Sequence, residues 1–178
     1  MANEPVKFAV AAHVKRLTAM NTDLIRSLRL DGKHEEARIL ALRLISTSPT
    51  DATLLYETAC VHDFLGFEAE AIPLYVAAIE NGLQGDTLRN ALLGLGSSYR
   101  TLGQYDESLV TLEKAIKLFP GAQEMVVFRA MALYNIGEFK EAVASLLGVI
   151  NRTTNDPIVQ RLERAISLYA EDLDRKWE

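Results

Sequence analysis

The sequence predicts an all-α fold of helix–turn–helix units stacked side by side, and three observations carry that prediction. A tetrad Gly–x–x–x–x–Ala/Ser recurs as Gly32…Ala37, Gly66…Ala71, Gly103…Ser108 and Gly137…Ala142. Its glycines are 34, 37 and 34 residues apart, a period that fits one supersecondary unit per copy. Finally, Asp156–Pro157 opens an amphipathic stretch of the kind that closes the end of such a stack.

The third copy shows the physical logic best. Leu92, Leu95, Gly96 and Tyr99 are followed by Ser108, Leu112, Ala115 and Pro120. Gly96 sits where only a minimal side chain lets a second helix approach closely, and Ser108 and Ala115 are the matching small positions on that helix. Tyr99 and Leu112 fill the space around those contacts. Gly103 ends the first helix in a left-handed conformation that other residues adopt at a cost. Pro120 cannot continue a helix and helps to stop the second one.

The other copies follow in the same frame. The first holds Ala37, Ala41 and Leu44 and ends with Pro49; the second has Leu55, Ala59, Ala71, Tyr75 and Ala78. The fourth has Ala130, Leu133, Phe139, Ala142 and Leu146. Ile25 and Arg129 stand where a small residue and a leucine are usual, so those units are expected to pack less tightly. The three surplus residues of the second unit are assigned to the polar loop 81–86, NGLQGD. Pro73 lies in the first turns of its helix, where it removes one hydrogen bond.

These residues resemble the tetratricopeptide repeat superfamily, whose period is 34 residues. The resemblance implies a right-handed α-solenoid of four repeats at 18–51, 52–88, 89–122 and 123–156. A helical extension at 1–17 and a capping helix at 157–178 complete a single domain. AIPLYVAAIENGL, LLGLGSSYRTLGQYDESL and ISLYAEDLDRKW are similar, more narrowly, to a family of small bacterial tetratricopeptide proteins. Members of that family have no established biochemical activity, and some are held to dimerise.

The ends are read from their periodicity. Ile158, Leu162, Ile166, Tyr169, Leu173 and Trp177 form one stripe of a helix over 157–177. Val6, Val10, Val14, Leu17, Leu24 and Leu28 keep near-helical spacing, so the first helix is expected from about Pro5 to Leu30. With Phe8, its early turns would offer either a frayed arm or a self-association surface.

Composition bounds the function. The chain has 178 residues, 49% hydrophobic and 24% charged, with a formal charge of −5. That length suits one sizeable domain, and no bulk basic field draws in nucleic acid. The single cysteine, Cys60, rules out an intramolecular disulfide and fits a reducing compartment. Neither a secretory signal nor a membrane span is read, so the expected location is cytoplasmic, with no membrane partner.

Catalysis and cofactors are not expected. Cys60 and His62 are two residues apart and point to different sides of a helix, so they neither chelate one metal nor activate one another. His62 holds the position of Leu28, Tyr99 and Leu133, which suits a packed histidine. The acids Glu35–Glu36, Glu68, Glu70 and Asp106–Glu107 recur at helix starts, where they complement the dipole. No phosphate loop, nucleophile elbow or zinc spacing is present.

What remains is recognition. Stacked helix pairs line a concave groove with their first helices, and the frame places there Arg26, Arg29, Tyr56, Cys60, Asp63, Phe64, Asn90, Ser97, Arg100, Met131, Tyr134 and Asn135, with Thr22 and Val127. Aromatic and Met side chains beside arginines suit a protein or peptide partner. A clamp for acidic chaperone tails is not expected. Thr22, Arg26, Glu57, Asn90 and Gly94 occupy its positions, and Glu57 would repel a carboxylate. A self-associating homodimer is the main alternative, followed by a small chaperone or accessory subunit.

Overall fold

The computed structural model describes residues 20–176. They form helices joined by short turns, without a strand among them: α1 (20–30), α2 (His34–Ile45), α3 (Ala52–Phe64), α4 (Glu68–Glu80) and α5 (Gly85–Thr101). Next come α6 (Tyr105–Leu118), α7 (Gln123–Asn135), α8 (Phe139–Thr153), α9 (Pro157–Arg161) and α10 (Glu163–Glu171). Two compact units divide between Gly94 and Leu95, within α5. The residues Val6 to Leu17 and Trp177, whose stripes were read from the sequence, lie outside the described residues.

One turn recurs four times. Gly103 has φ +75°, and the amide of Gln104 returns to the carbonyl of Tyr99 at 2.9 Å. The same return joins Lys33 to Leu28, Phe67 to His62 and Glu138 to Leu133. Only glycine takes that left-handed position without strain, and the bond satisfies a carbonyl that the helix end leaves open. The following helix begins within two residues, with Glu35 and Glu36, Glu68 and Glu70, Asp106 and Glu107, or Glu141 in its first turn.

In the first unit, Ile25, Ala37, Ala41, Leu54 and Val61 form a fully buried cluster. Ile25 is fully buried in this cluster, where the small Ala37 and Ala41 leave room for it. In the second unit, Ala130, Leu133 and Ala142 form one buried cluster, with Leu109 against them. Ser108 Oγ donates to Gly96 O at 2.7 Å. A Cβ built on Gly96 would lie 2.7 Å from Leu112 Cγ, so the glycine is required by close approach.

Two expectations about element boundaries are corrected. The surplus of the second unit does not stay in loop 81–86: α5 starts at Gly85 and runs 17 residues, against 13 for α3 and for α7. A longer helix adds internal hydrogen bonds that a loop would leave to solvent. The last segment is not one helix over 157–177. It opens as expected, with Asp156 Oδ1 accepting from Ile158 N at 2.7 Å and Pro157 in the first turn. It then breaks at Leu162 and ends at Glu171, which leaves Leu173 beyond the helix.

Candidate interaction surface

The first unit carries an ion cluster centred on a carboxylate that is fully removed from solvent. Glu57, on α3, is 0% exposed. It accepts from Arg26 Nε at 2.7 Å and from Arg29 Nη2 at 3.3 Å, both on α1. Arg26 also reaches Asp23 at 3.3 Å. The bond to Glu57 is the main reason that the Arg26 pKa lies above its ordinary value. Charge neutralisation by two guanidiniums is what allows a carboxylate at this depth.

A tyrosine network adjoins it. Tyr75, on α4, donates towards Asp63 Oδ2 at 3.2 Å and Cys60 Sγ at 3.7 Å. Its ring sits 6.3 Å from that of Tyr56. A Cβ on Gly94 would come within 2.6 Å of Tyr75 Cζ, so that glycine makes room for the phenol. Burial raises the pKa of Tyr75 and of Tyr56, and nearby Cys60 adds to both. Burial also pushes the Cys60 thiol up, against hydrogen bonds from the two tyrosines that lower it.

The expected recognition residues thus separate into different roles. Tyr56, expected as an open side chain, is buried, because α4 brings Tyr75 over it. Cys60 and Asp63 are half-buried beneath the same phenol. Arg26 and Arg29 are held against Glu57 instead of standing alone. Phe64 is exposed and stacks on His34 with centroids 4.0 Å apart, and Asn90 is exposed on α5. Glu57 differs from its expected role: the carboxylate is covered and paired with Arg26 and Arg29, so repulsion by it is no reason to reject an acidic ligand.

In the second unit, Arg100 Nη1 donates to Asn135 Oδ1 at 3.3 Å, joining α5 to α7. Met131 and Tyr134 are exposed on α7, Tyr134 by 63%. Tyr134 tilts against Phe139 at a centroid distance of 5.1 Å. Ser97 is half-buried on α5. Arg129 bridges Glu113 at 3.0 Å and Glu141 at 2.7 Å. Burial opposes its charge, and the two carboxylates more than offset that, so its pKa rises. An arginine in the usual place of a leucine therefore ties α6, α7 and α8 together.

His62 is buried, with Nδ1 2.9 Å from Thr58 O, as a packed histidine should be. Among the described residues no group of three or more His, Cys, Asp or Glu is placed to hold a metal ion. No helix among them is long and apolar enough to cross a membrane. Sequence reasoning missed Glu57 and Tyr75 as organisers. The available signal was a lone acid inside the apolar run LLYETACV, with two arginines one unit earlier.

Helix hairpins closed by left-handed glycines, and seated on small residues at their crossings, define a helical-repeat protein. The chain belongs to the tetratricopeptide repeat family, whose model matches residues 52–173. Proteins of this family are generally non-catalytic scaffolds that bind protein or peptide partners. No curated protein matches the sequence. Among solved structures, YrrB, described as a tetratricopeptide protein with an unusual peptide-binding site, superposes with a TM-score of 0.66 at 18% identity, over 88% of this chain and 78% of its own. PilF of Pseudomonas aeruginosa gives 0.65 at 19% identity, over 86% and 68%. A MamA double mutant from RS-1 gives 0.65 at 14% identity, over 88% and 97%. These similarities show the fold, an α-solenoid of helix hairpins.

Proposed function

We propose that this chain is a non-catalytic interaction module that binds a peptide or helical segment of a partner protein along the first helices of its hairpins. The helix pairs are read as four repeats over 18–51, 52–88, 89–122 and 123–156, with 157–178 as the closing segment of a single domain. The observation that carries the reading is the α7 surface. Met131 and Tyr134 stand exposed there, while Asn135 positions Arg100 beside them. Tyrosine and arginine are among the residue types that concentrate binding energy, and methionine is enriched at interfaces. In the first unit, taken by itself, Arg26 and Arg29 are oriented by Glu57 and offer a cationic surface of their own. The peptide-binding site ascribed to YrrB supports the same use of the fold.

The test is selection of ligands from a random peptide library displayed against the whole chain, followed by affinity measurement on the selected peptides. Arg100→Glu and Tyr134→Ala should each weaken binding by roughly tenfold or more, about 1.4 kcal/mol. Both sites are at least partly exposed, so the variants should melt as the parent does. Selected peptides that bind both variants as tightly as the parent would overturn the assignment.

A further inference from the structure

The α7 surface carries an open thioether. Met131 is 41% exposed, whereas Met125, two turns earlier on the same helix, is 0% exposed. An oxidant must reach a sulfur to attack it, so burial protects Met125 and leaves Met131 accessible. Met20 is exposed as well, by 61%, but stands in the first unit at the start of α1. Cys60 holds the matching place in the second repeat. There the hydroxyl of Tyr75 reaches its sulfur at 3.7 Å, and burial keeps the thiol protonated. Since the thiolate is the reactive form, Met131 is the more open to an oxidant of the two sulfurs expected at the recognition surface.

Its neighbours determine what oxidation there does. Tyr134 and Asn135 follow Met131 by three and four residues, so all three share one face of α7. Asn135 Oδ1 accepts from Arg100 Nη1 at 3.3 Å. The thioether thus stands within one helical turn of the exposed ring and of the amide that positions the guanidinium. With hydrogen peroxide, a sulfur lone pair attacks one oxygen, an S–O bond forms and the O–O bond breaks. The proton of the transferred oxygen passes to the leaving hydroxide, which departs as water; sulfur loses two electrons and the peroxide gains them. A flexible apolar side chain becomes a polar sulfoxide. Covering that oxygen with an apolar side chain of a partner strips it of water without a replacement hydrogen bond.

We infer that Met131 is an oxidation switch on the peptide-binding surface: peroxide converts it to the sulfoxide and releases the partner. Methionine sulfoxide reductases reverse the change. The switch rests on the proposed binding of a peptide partner along α7, and it adds that this partner sets an apolar side chain against Met131.

The test treats the whole chain with hydrogen peroxide and measures binding of the tightest peptide that library selection returns on the unoxidised chain. Met20→Leu is carried in every sample, which removes the other exposed thioether of the described residues. Peptide mapping by mass spectrometry should find one added oxygen at Met131 while Met125 is still unmodified. The selected peptide should then bind about tenfold more weakly, at an unchanged melting temperature, and reductase treatment should restore the affinity. Met131→Leu should show one affinity before and after peroxide. Oxidation of Met131 no faster than that of Met125 overturns the switch, and so does an equal loss of binding in treated Met131→Leu. A peptide that binds the oxidised and unoxidised chains alike overturns the switch alone, whereas a library that returns no binder overturns the interaction module and the switch with it.

Discussion

The Ser108 hydroxyl donates a hydrogen bond to the carbonyl of Gly96 at 2.7 Å, and both residues are buried. The bond forms between side chain and backbone only because Gly96 has no Cβ to hold α6 away. Leu112, one turn beyond Ser108, fills the space that a side chain on Gly96 would need.

Gly96→Ala should therefore destabilise the protein by about 1–3 kcal/mol, since the added methyl must displace Leu112. Ser108→Ala should lose about 1 kcal/mol, the worth of a buried hydrogen bond. Urea midpoints of the two variants check both figures, and an alanine at 96 without cost would mean that the helices cross elsewhere.

Around Glu57 the penalty should be asymmetric. Glu57→Gln leaves two guanidiniums that are partly in water, with side-chain exposures of 42% and 20%. The double variant Arg26→Gln/Arg29→Gln instead strands a fully buried carboxylate. We expect about 1 kcal/mol for the first and about 3 kcal/mol for the second. Equal losses in thermal melts would show that Glu57 reaches solvent once its partners go.

Arg129→Leu should be close to neutral, within about 1 kcal/mol. It exchanges a desolvated cation with two half-exposed carboxylate partners for the apolar residue that the repeat position usually holds. Chemical denaturation reads this directly, and a loss above about 2 kcal/mol would show that the ion bridge holds the three helices together by more than the apolar packing that replaces it.

Alkaline pH should loosen the first unit. Burial favours the protonated forms of Cys60, Tyr56 and Tyr75, so their folded pKa values lie above those of the unfolded chain. That stabilisation is whole below the unfolded thiol pKa of about 8.5. It then falls as the unfolded thiol and, near pH 10, the unfolded phenols ionise. The urea midpoint should hold between pH 7 and 8 and drop by pH 10.5, and Cys60→Ala should flatten the earlier part of that drop. An unchanged midpoint across the range would contradict the burial of these groups.

Much of the architecture was present in the spacing of Gly32, Gly66, Gly103 and Gly137. Each marks a left-handed turn, and that requirement is local: a helix end needs it wherever the chain must reverse at once. Asp156, as the acceptor opening α9, is equally local. The depth of Glu57, the roof that Tyr75 makes over Tyr56 and Cys60, and the bridge from Arg129 were not visible in the same way. Each depends on which residue from another helix arrives opposite.

The sequence by itself determined the repeat, its turns and the small residues at its crossings, because these follow from backbone conformation and side-chain volume along one stretch of chain. Tertiary structure decided which polar groups are buried and paired, and which apolar stripes stay open. Ile25 and Ile150 belong to equally good amphipathic patterns, yet one is fully buried and the other 44% exposed. The difference lies in the presence or absence of a neighbouring helix, and burial is a property of that neighbour as much as of the residue.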